Sequence, residues 1–461
     1  MKSSVGTVVG TDLPQLSQDS PETKQFLACL DVMLGPVEVT SRYSSPFSGV
    51  VPHGGIQSET QIPMSSTQEQ ASGESEHLQE TTLVRGGSVP GDEPLSLVPK
   101  LTDNMGHVLL YDHRDYRKAV EWYELELSRR EQLLGKDHEN TLDILHALGI
   151  AFVGQRSYAT ALKYYELALA GRERALGKEH HATLDTVHRI GQVYHQQRDC
   201  VRTEEWFRQT RECYGPLFDD REKQLLGIED TPETLQIVKI IGRIYYYGGH
   251  YTNALRLFER ALVGQEKVLG KEHPATLETI HDIGKAHYQR EYDEEAMKWQ
   301  VRALVGREKT LGKYHLDTLD TLRDVGLIFF SQVRYKHALK QFQKSLAGRE
   351  KLLGIDHPEV LELLHDIGTV FLSQRKCWDA EDIYERVLDG RKTALGEDHP
   401  DTLKVVHDMG SVFYRWGDYE RALEWYKLAL AGREKVLGNE HRHTKKTLRR
   451  IKDMESRCKA K

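Results

Sequence analysis

Apolar and polar positions alternate along most of the chain with the period of a helix, and the pattern comes in pairs. Residues 273–312 show it. Apolar and aromatic side chains fall at Leu277, Ile280, Ile283, His287 and Tyr288, one face of a first helix. The polar pair Arg290-Glu291 breaks the stripe. A second stripe, Ala296, Trp299, Gln300, Ala303, Leu304 and Leu311, predicts a second helix from about Tyr292 to Leu311. His273 stands at the N-cap of the first helix and Pro274 at its first position, where a missing N–H costs nothing. Gly312 follows the last turn of the second and stops it. Neither helix can bury its apolar face alone, so the pair needs neighbours.

The neighbours are copies. A Leu-Gly dipeptide recurs with its glycine at Gly135, Gly177, Gly227, Gly270, Gly312, Gly354, Gly396 and Gly438, at spacings of 42, 50, 43, 42, 42, 42 and 42 residues. Three residues on stand His138, His180, His273, His315, His357, His399 and His441, with Asp230 in the one long unit. A second glycine falls inside each first helix, at Gly149, Gly191, Gly242, Gly284, Gly326, Gly368 and Gly410. A glycine within a helix costs about 1 kcal/mol against alanine, so its recurrence predicts close approach by another helix. The long unit carries eight extra residues, and its segment 213–223 contains Gly215-Pro216, a helix breaker. A loop on an outer edge, a kink in the stack or a partner-specific contact is expected there.

The repeat resembles the tetratricopeptide repeat. Leu148, Gly149, Phe152, Ala161, Tyr165 and Ala168 fill its small and large positions in one unit, and Met409, Gly410, Phe413, Ala422, Tyr426 and Ala429 in another. The unit length and the string REKxLGxxHPxTL are similar to the kinesin light chain subclass and to repeat arrays of fungal nucleotide-binding receptor proteins. The resemblance covers roughly residues 101–445. It implies an all-α fold: a right-handed superhelical solenoid of about eight antiparallel helix pairs plus a C-terminal capping helix. Residues 1–98 are then an acidic N-terminal segment, 99–440 the array, and 441–461 a basic capping helix and tail. Residues 1–100 show no sustained heptads of the kind by which kinesin light chains bind their motor chain. No GxxxxGK[ST] phosphate loop occurs either.

Charge separates these parts. Residues 1–100 hold five Lys/Arg against 12 Asp/Glu, leaving the array 58 of the chain's 63 basic and 58 of its 70 acidic residues. A balanced body argues against nucleic acid, which needs a one-sided basic field. The N-terminal segment also holds nine of the 14 prolines and reads as mostly disordered. A short helix is expected at 21–34, with Phe26, Leu27, Leu30, Val32, Met33 and Leu34. This segment, or the acidic stretch Gly91–Leu97, is a candidate for intramolecular docking on the array. Five scattered cysteines without a CxxC, and no apolar run long enough for a signal or a bilayer span, point to a reducing, cytoplasmic setting without membrane insertion.

In the resembled fold the first helix of each pair, helix A, lines a concave groove. Three residues before the mid-helix glycine stand His146, His188, Lys239, His281, Arg323, His365 and His407. Asp282, Asp324, Asp366 and Asp408 follow four of them, where kinesin light chains carry paired asparagines. Arg243, Lys285, His195, Tyr246, Tyr247 and Tyr288 complete the candidate peptide-binding groove. Two readings stand open. The basic–Asp pairs bond repeat to repeat and stiffen the stack, or they grip an extended peptide, with Lys239, Arg243, Lys285 and Arg323 favouring acidic residues. The Arg and Glu copies near the end of helix B (Arg172, Arg307, Arg349 and Arg433 beside Glu173, Glu266, Glu308, Glu350 and Glu434) are expected to be solvated or paired within one repeat.

Histidines spaced by whole repeats lie too far apart to share a zinc ion. No GxSxG or HExxH occurs. The sequence therefore points to no enzyme, no metal and no cofactor. It points to a scaffold or adaptor that binds extended segments of other proteins. The alternative is a regulatory repeat module acting with a separate nucleotide-binding ATPase.

Overall fold

The computed structural model describes residues 105–197, 200–224 and 230–459. The expected helix at 21–34 and the acidic stretch at 91–97 lie outside them. A π-helical turn, Val108–Asp112, comes first. Sixteen α-helices follow: α1 Tyr116–Leu134, α2 Glu139–Gly154, α3 Tyr158–Ala175, α4 His181–Gln196, α5 Cys200–Gln224, α6 Pro232–Tyr247, α7 Tyr251–Val268, α8 Pro274–Gln289, α9 Asp293–Thr310, α10 Leu316–Ser331, α11 Tyr335–Leu353, α12 Pro358–Ser373, α13 Cys377–Leu395, α14 Pro400–Trp416, α15 Tyr419–Leu437 and α16 Arg442–Lys459. Even-numbered helices α2 to α14 are the A helices and odd-numbered ones the B helices. Apart from α5 and α6, each packs on the next in the chain, as a solenoid must, and α16 closes on α15.

The recurring histidines begin the A helices. Each accepts, at ring Nδ1, the backbone N–H two residues on: 3.2 Å from Asn140 to His138, 3.2 Å from Ala275 to His273 and 3.1 Å from Asp401 to His399. The acceptor nitrogen must be bare, so these caps hold neutral rings with the proton on Nε2. Where the long unit lacks the histidine, Thr231 and Thr234 form a reciprocal capping box for α6. The threonine of the recurring string adds a second tie. The hydroxyls of Thr141, Thr183, Thr276, Thr318 and Thr402 donate to the carbonyl of the preceding Leu-Gly glycine at 2.8–2.9 Å.

Within a pair the two helices touch through two glycines. A Cβ on Gly326 would stand 2.5 Å from the Phe342 ring, and one on Gly410 would stand 2.8 Å from Tyr426. The mid-helix glycine is thus the seat of an aromatic ring from helix B. Between α8 and α9 Gln300 takes that ring's place on Gly284. A reciprocal contact was not read from the sequence. Gly306, Gly348 and Gly432 on B helices seat Leu277, Leu319 and Leu403 of their A helices.

Between pairs the strap is an arginine. Arg172, Arg307, Arg349, Arg391 and Arg433 are all buried, at 2–5 % exposure. Arg307 donates to the Asp317 carbonyl (2.9 Å) and to the Thr321 hydroxyl (2.8 Å), both on the next A helix. Arg172 does the same with Ala182 and Thr186. One guanidinium nitrogen makes both bonds, which leaves the other free to reach the same repeat, as it does from Arg172 to Asp143. The expected pairing within one repeat holds for Arg172 and Arg349, which also meet Asp143 and Asp320 of their own A helices, but none of these arginines is solvated, and the contacts to the next repeat were not expected. The glutamates likewise look outward to the next B helix, as Glu350 does to Arg386 at 3.2 Å and Glu266 to Arg302.

The long unit contains neither a loop nor a break at Gly215-Pro216, since α5 runs through both to Gln224. The extra residues lengthen a B helix instead. As a result α5 barely meets α6, and the A helices α4 and α6 pack directly on each other. Phe207 of α5 fills the space over Gly248, where a Cβ would stand 2.2 Å from its ring.

One contact spans the stack. The turns before α1 and α3 place Arg114 and Arg156 at left-handed backbone angles, φ 47° and 62°. Arg114 reaches Glu359 and Asp320 (3.3 Å to the latter). Arg156 reaches Glu362 and Asp401 (3.2 Å to the latter). The carbonyls of the two arginines accept from Nε2–H of the cap residues His357 (3.1 Å) and His399 (3.2 Å). The first pairs therefore dock on the A helices some 243–245 residues later.

Candidate functional site

The face carried by the A helices begins with a lattice of charges in which Lys239, Arg243, His281, Arg323 and His365 are answered by the next repeat. Lys239, on α6, is only 1 % exposed and bonds Glu278 of α8 at 2.7 Å. Arg243 grips Glu278 (2.6 Å) and Asp282 (2.7 Å). His281 meets Asp324 at 2.8 Å, Arg323 meets Asp366 (2.7 Å) and Glu362 (2.9 Å), and His365 meets Asp408 at 2.9 Å. Burial works against the charged form of both members of such pairs, and their mutual attraction opposes it. Burial alone would raise the Asp408 carboxyl, but His365 and Lys404 hold it well below the usual carboxylate range.

The histidines of the row are mostly interior. His146, His188, His365 and His407 are buried. Burial pushes the His188 ring down to about 4, against the pull of Asp185. Asp185 lies 3.1 Å from its Nδ1 but is not aligned for a hydrogen bond. Burial also pushes His407 down to about 3, with Arg433, Lys446 and Arg450 adding to it against Asp408.

The remaining candidate residues form a different surface. His195 and Tyr247 are half-buried and face each other edge-on at 5.6 Å, while Tyr246, 6 % exposed, lies under Lys285 at 5.8 Å. Tyr288 is half-buried on α8. Three residues missed from the sequence continue its position at 42-residue steps: Phe330, Leu372 and Tyr414, all half-buried. The structure thus lines up Tyr246, Tyr288, Phe330, Leu372 and Tyr414, one per A helix from α6 to α14. The signal for the last three was the period itself.

At the C-terminal end of this row a cavity of about 520 Å3 opens, lined by Arg375, Arg415, Arg450, Ser411, Tyr414 and Tyr419 among others. Among the described residues, no group of three or more His, Cys, Asp or Glu side chains could hold a metal ion. No described helix is long and apolar enough to cross a membrane.

No curated protein sequence matches the chain. Among solved structures it is similar to the tetratricopeptide-like repeats of a Podospora anserina protein assigned to the kinesin light chains, at 22% identity over 44% of this chain and 96% of that one, TM-score 0.40. It is also similar to a Rap protein complexed with competence and sporulation factor, at 12% identity over 74% and 99%, TM-score 0.44. A third is NprR in complex with its peptide NprX, at 14% over 74% and 89%, TM-score 0.44. The family model of the tetratricopeptide repeat matches residues 98–173, 153–214, 234–304, 334–393 and 384–435, more than half of the sequence. By that match, and by seven A helices carried through one register, the chain belongs to the tetratricopeptide repeat family.

Proposed function

We propose that this protein is an interaction scaffold that holds an extended segment of a partner protein along the face of the A helices, and that it acts by binding and not by turnover. The observation that carries the reading is the row Tyr246, Tyr288, Phe330, Leu372 and Tyr414. It repeats one apolar or aromatic side chain per pair, mostly half-open, beside a charged lattice that is already internally satisfied. Half-open rings in register offer an extended chain a site for successive side chains, and polar neighbours offer partners for its backbone. Membership of the tetratricopeptide repeat family, whose repeats serve as protein-interaction modules, supports the same reading. The lattice also bears on selectivity. Lys239, Arg243 and Arg323 each face a carboxylate already, so they offer a ligand less charge than their row suggests.

The test is selection of a random 12-residue peptide library on the full chain. Affinity of the selected peptides should fall at least tenfold in the double variant Phe330→Ala, Leu372→Ala. It should stay unchanged in Val263→Ala, which alters an exposed residue on a B helix. Equal affinity for all three proteins would refute the assignment.

A further inference from the structure

The C-terminal cavity departs from the rest of the A-helix face in its charge. Arg375 comes from the turn after α12, Arg415 from the last turn of α14, and Arg450 from α16. No aspartate or glutamate lines the cavity, and none of these three has a carboxylate partner among the described residues. Elsewhere on this face a single guanidinium holds two carboxylates, as Arg243 and Arg323 do.

Register explains the difference. Arg450 stands 42 residues after Asp408, which itself follows Asp324 and Asp366 at the same step. Where the repeats supply the acid that answers the preceding histidine, α16 supplies a guanidinium. Lys446 likewise stands in the register of Glu362. Arg375 sits at φ 60°, the same turn position as Arg114 and Arg156. Those two close on pairs of carboxylates, and Arg375 closes on none. The site is also built. Arg450 and Arg457 lie over the Tyr414 ring at 5.5 and 5.4 Å, and Ser411 Oγ is bonded to Tyr426 Oη at 3.1 Å.

We propose that this cavity binds a phosphorylated residue of the segment held along the A helices. The proposal rests on the segment-binding reading above. A phosphate monoester brings close to two negative charges and three acceptor oxygens to one point. Guanidinium forks match those oxygens with paired, charge-assisted hydrogen bonds, and the Ser411 hydroxyl adds a neutral polar group. Three arginines without a counter-charge exceed what one carboxylate would answer on a face where one arginine already takes two.

The experiment uses the full chain and three fluorescent 12-residue peptide pools that share randomised flanks and differ at one central position: phosphoserine, serine or glutamate. Fluorescence polarisation should show the phosphoserine pool binding at least tenfold tighter than either other pool. In the triple variant Arg375→Gln, Arg415→Gln, Arg450→Gln the three pools should agree within twofold, with unfolding unchanged. Equal binding of the phosphoserine and serine pools to the native chain would overturn the proposal. So would glutamate matching phosphoserine, which assigns the cavity to acidic side chains, or a preference that survives in the triple variant. Serine-pool binding that is lost in Phe330→Ala, Leu372→Ala but shows no phosphate preference would leave the scaffold reading standing without this one. Failure of every pool to bind would remove both.

Discussion

The middle and the C-terminal end of the A-helix face share one register and carry opposite chemistry. In the middle, Lys239, Arg243, His281, Arg323 and His365 each bond a carboxylate of the following repeat. At the end, His407 looks at α16, which offers Lys446 and Arg450 in those places. A cation in a solenoid is therefore structural or available according to what the next repeat carries. The residue itself does not decide it. The turns show a like contrast across the superhelix, where Arg114 and Arg156 are answered by carboxylates 206 and 245 residues on and Arg375 by none among the described residues.

The largest effect should come from breaking the middle. Glu278→Gln leaves the Lys239 ammonium buried with no carboxylate, and equilibrium urea unfolding should show a loss of about 3 kcal/mol. The value sits at the low end for a buried pair because Glu278 is partly open to solvent. A loss below about 1 kcal/mol would mean that water already reaches Lys239, and the middle would then resemble the end.

The pH dependence comes next. His188 and His407 are held near 4 and 3, below the ordinary value of about 6.5 that they regain on unfolding. Below 6.5 the unfolded chain takes up protons that the folded chain refuses. Their contribution is therefore intact above 6.5 and is lost as pH falls toward 4 and 3. Each ring adds a slope of up to about 1.4 kcal/mol per pH unit in that window. His407→Gln should flatten the fall measured between pH 6.5 and 5. An unchanged slope would place the titration elsewhere.

A smaller change should convert the end into the middle. Arg450→Asp gives His407 the partner that His365 has in Asp408. The His407 ring should titrate higher by NMR and stability should rise by about 0.5 kcal/mol, as for a partly exposed pair. Any preference for phosphoserine should vanish. Smallest of all, Arg375→Gln should leave stability within about 0.5 kcal/mol of native, since no partner is lost. A larger drop would show that Arg375 serves the fold.

Much of the fold was legible because a solenoid writes its geometry into the sequence once per repeat. The Leu-Gly stops, the histidine caps and the mid-helix glycines each mark a backbone position that recurs every 42 residues. Contacts between repeats were harder to read. Whether Arg243 is free depends on Asp282, and that pairing follows from the angle between successive A helices. The docking of Arg114 on Glu359 depends on the pitch of the superhelix, which no local pattern encodes. Gly215-Pro216 misled for a local reason: the breaker signal was weighed without the helix in which α5 embeds it. In the groove, Tyr246 and Tyr288 drew notice as aromatic side chains. Leu372 did not, although its register was already fixed.

The claim that a partner segment runs along the A-helix row can be tested at single positions. Benzoylphenylalanine placed at Phe330, and separately at Val263 on the exposed side of α7, would be photo-crosslinked to a library-selected peptide at saturating concentration. The scaffold reading predicts crosslinks from position 330 and from its register mates 288 and 372, with none from 263. Crosslinking from 263 equal to that from 330, or from 263 alone, would contradict it.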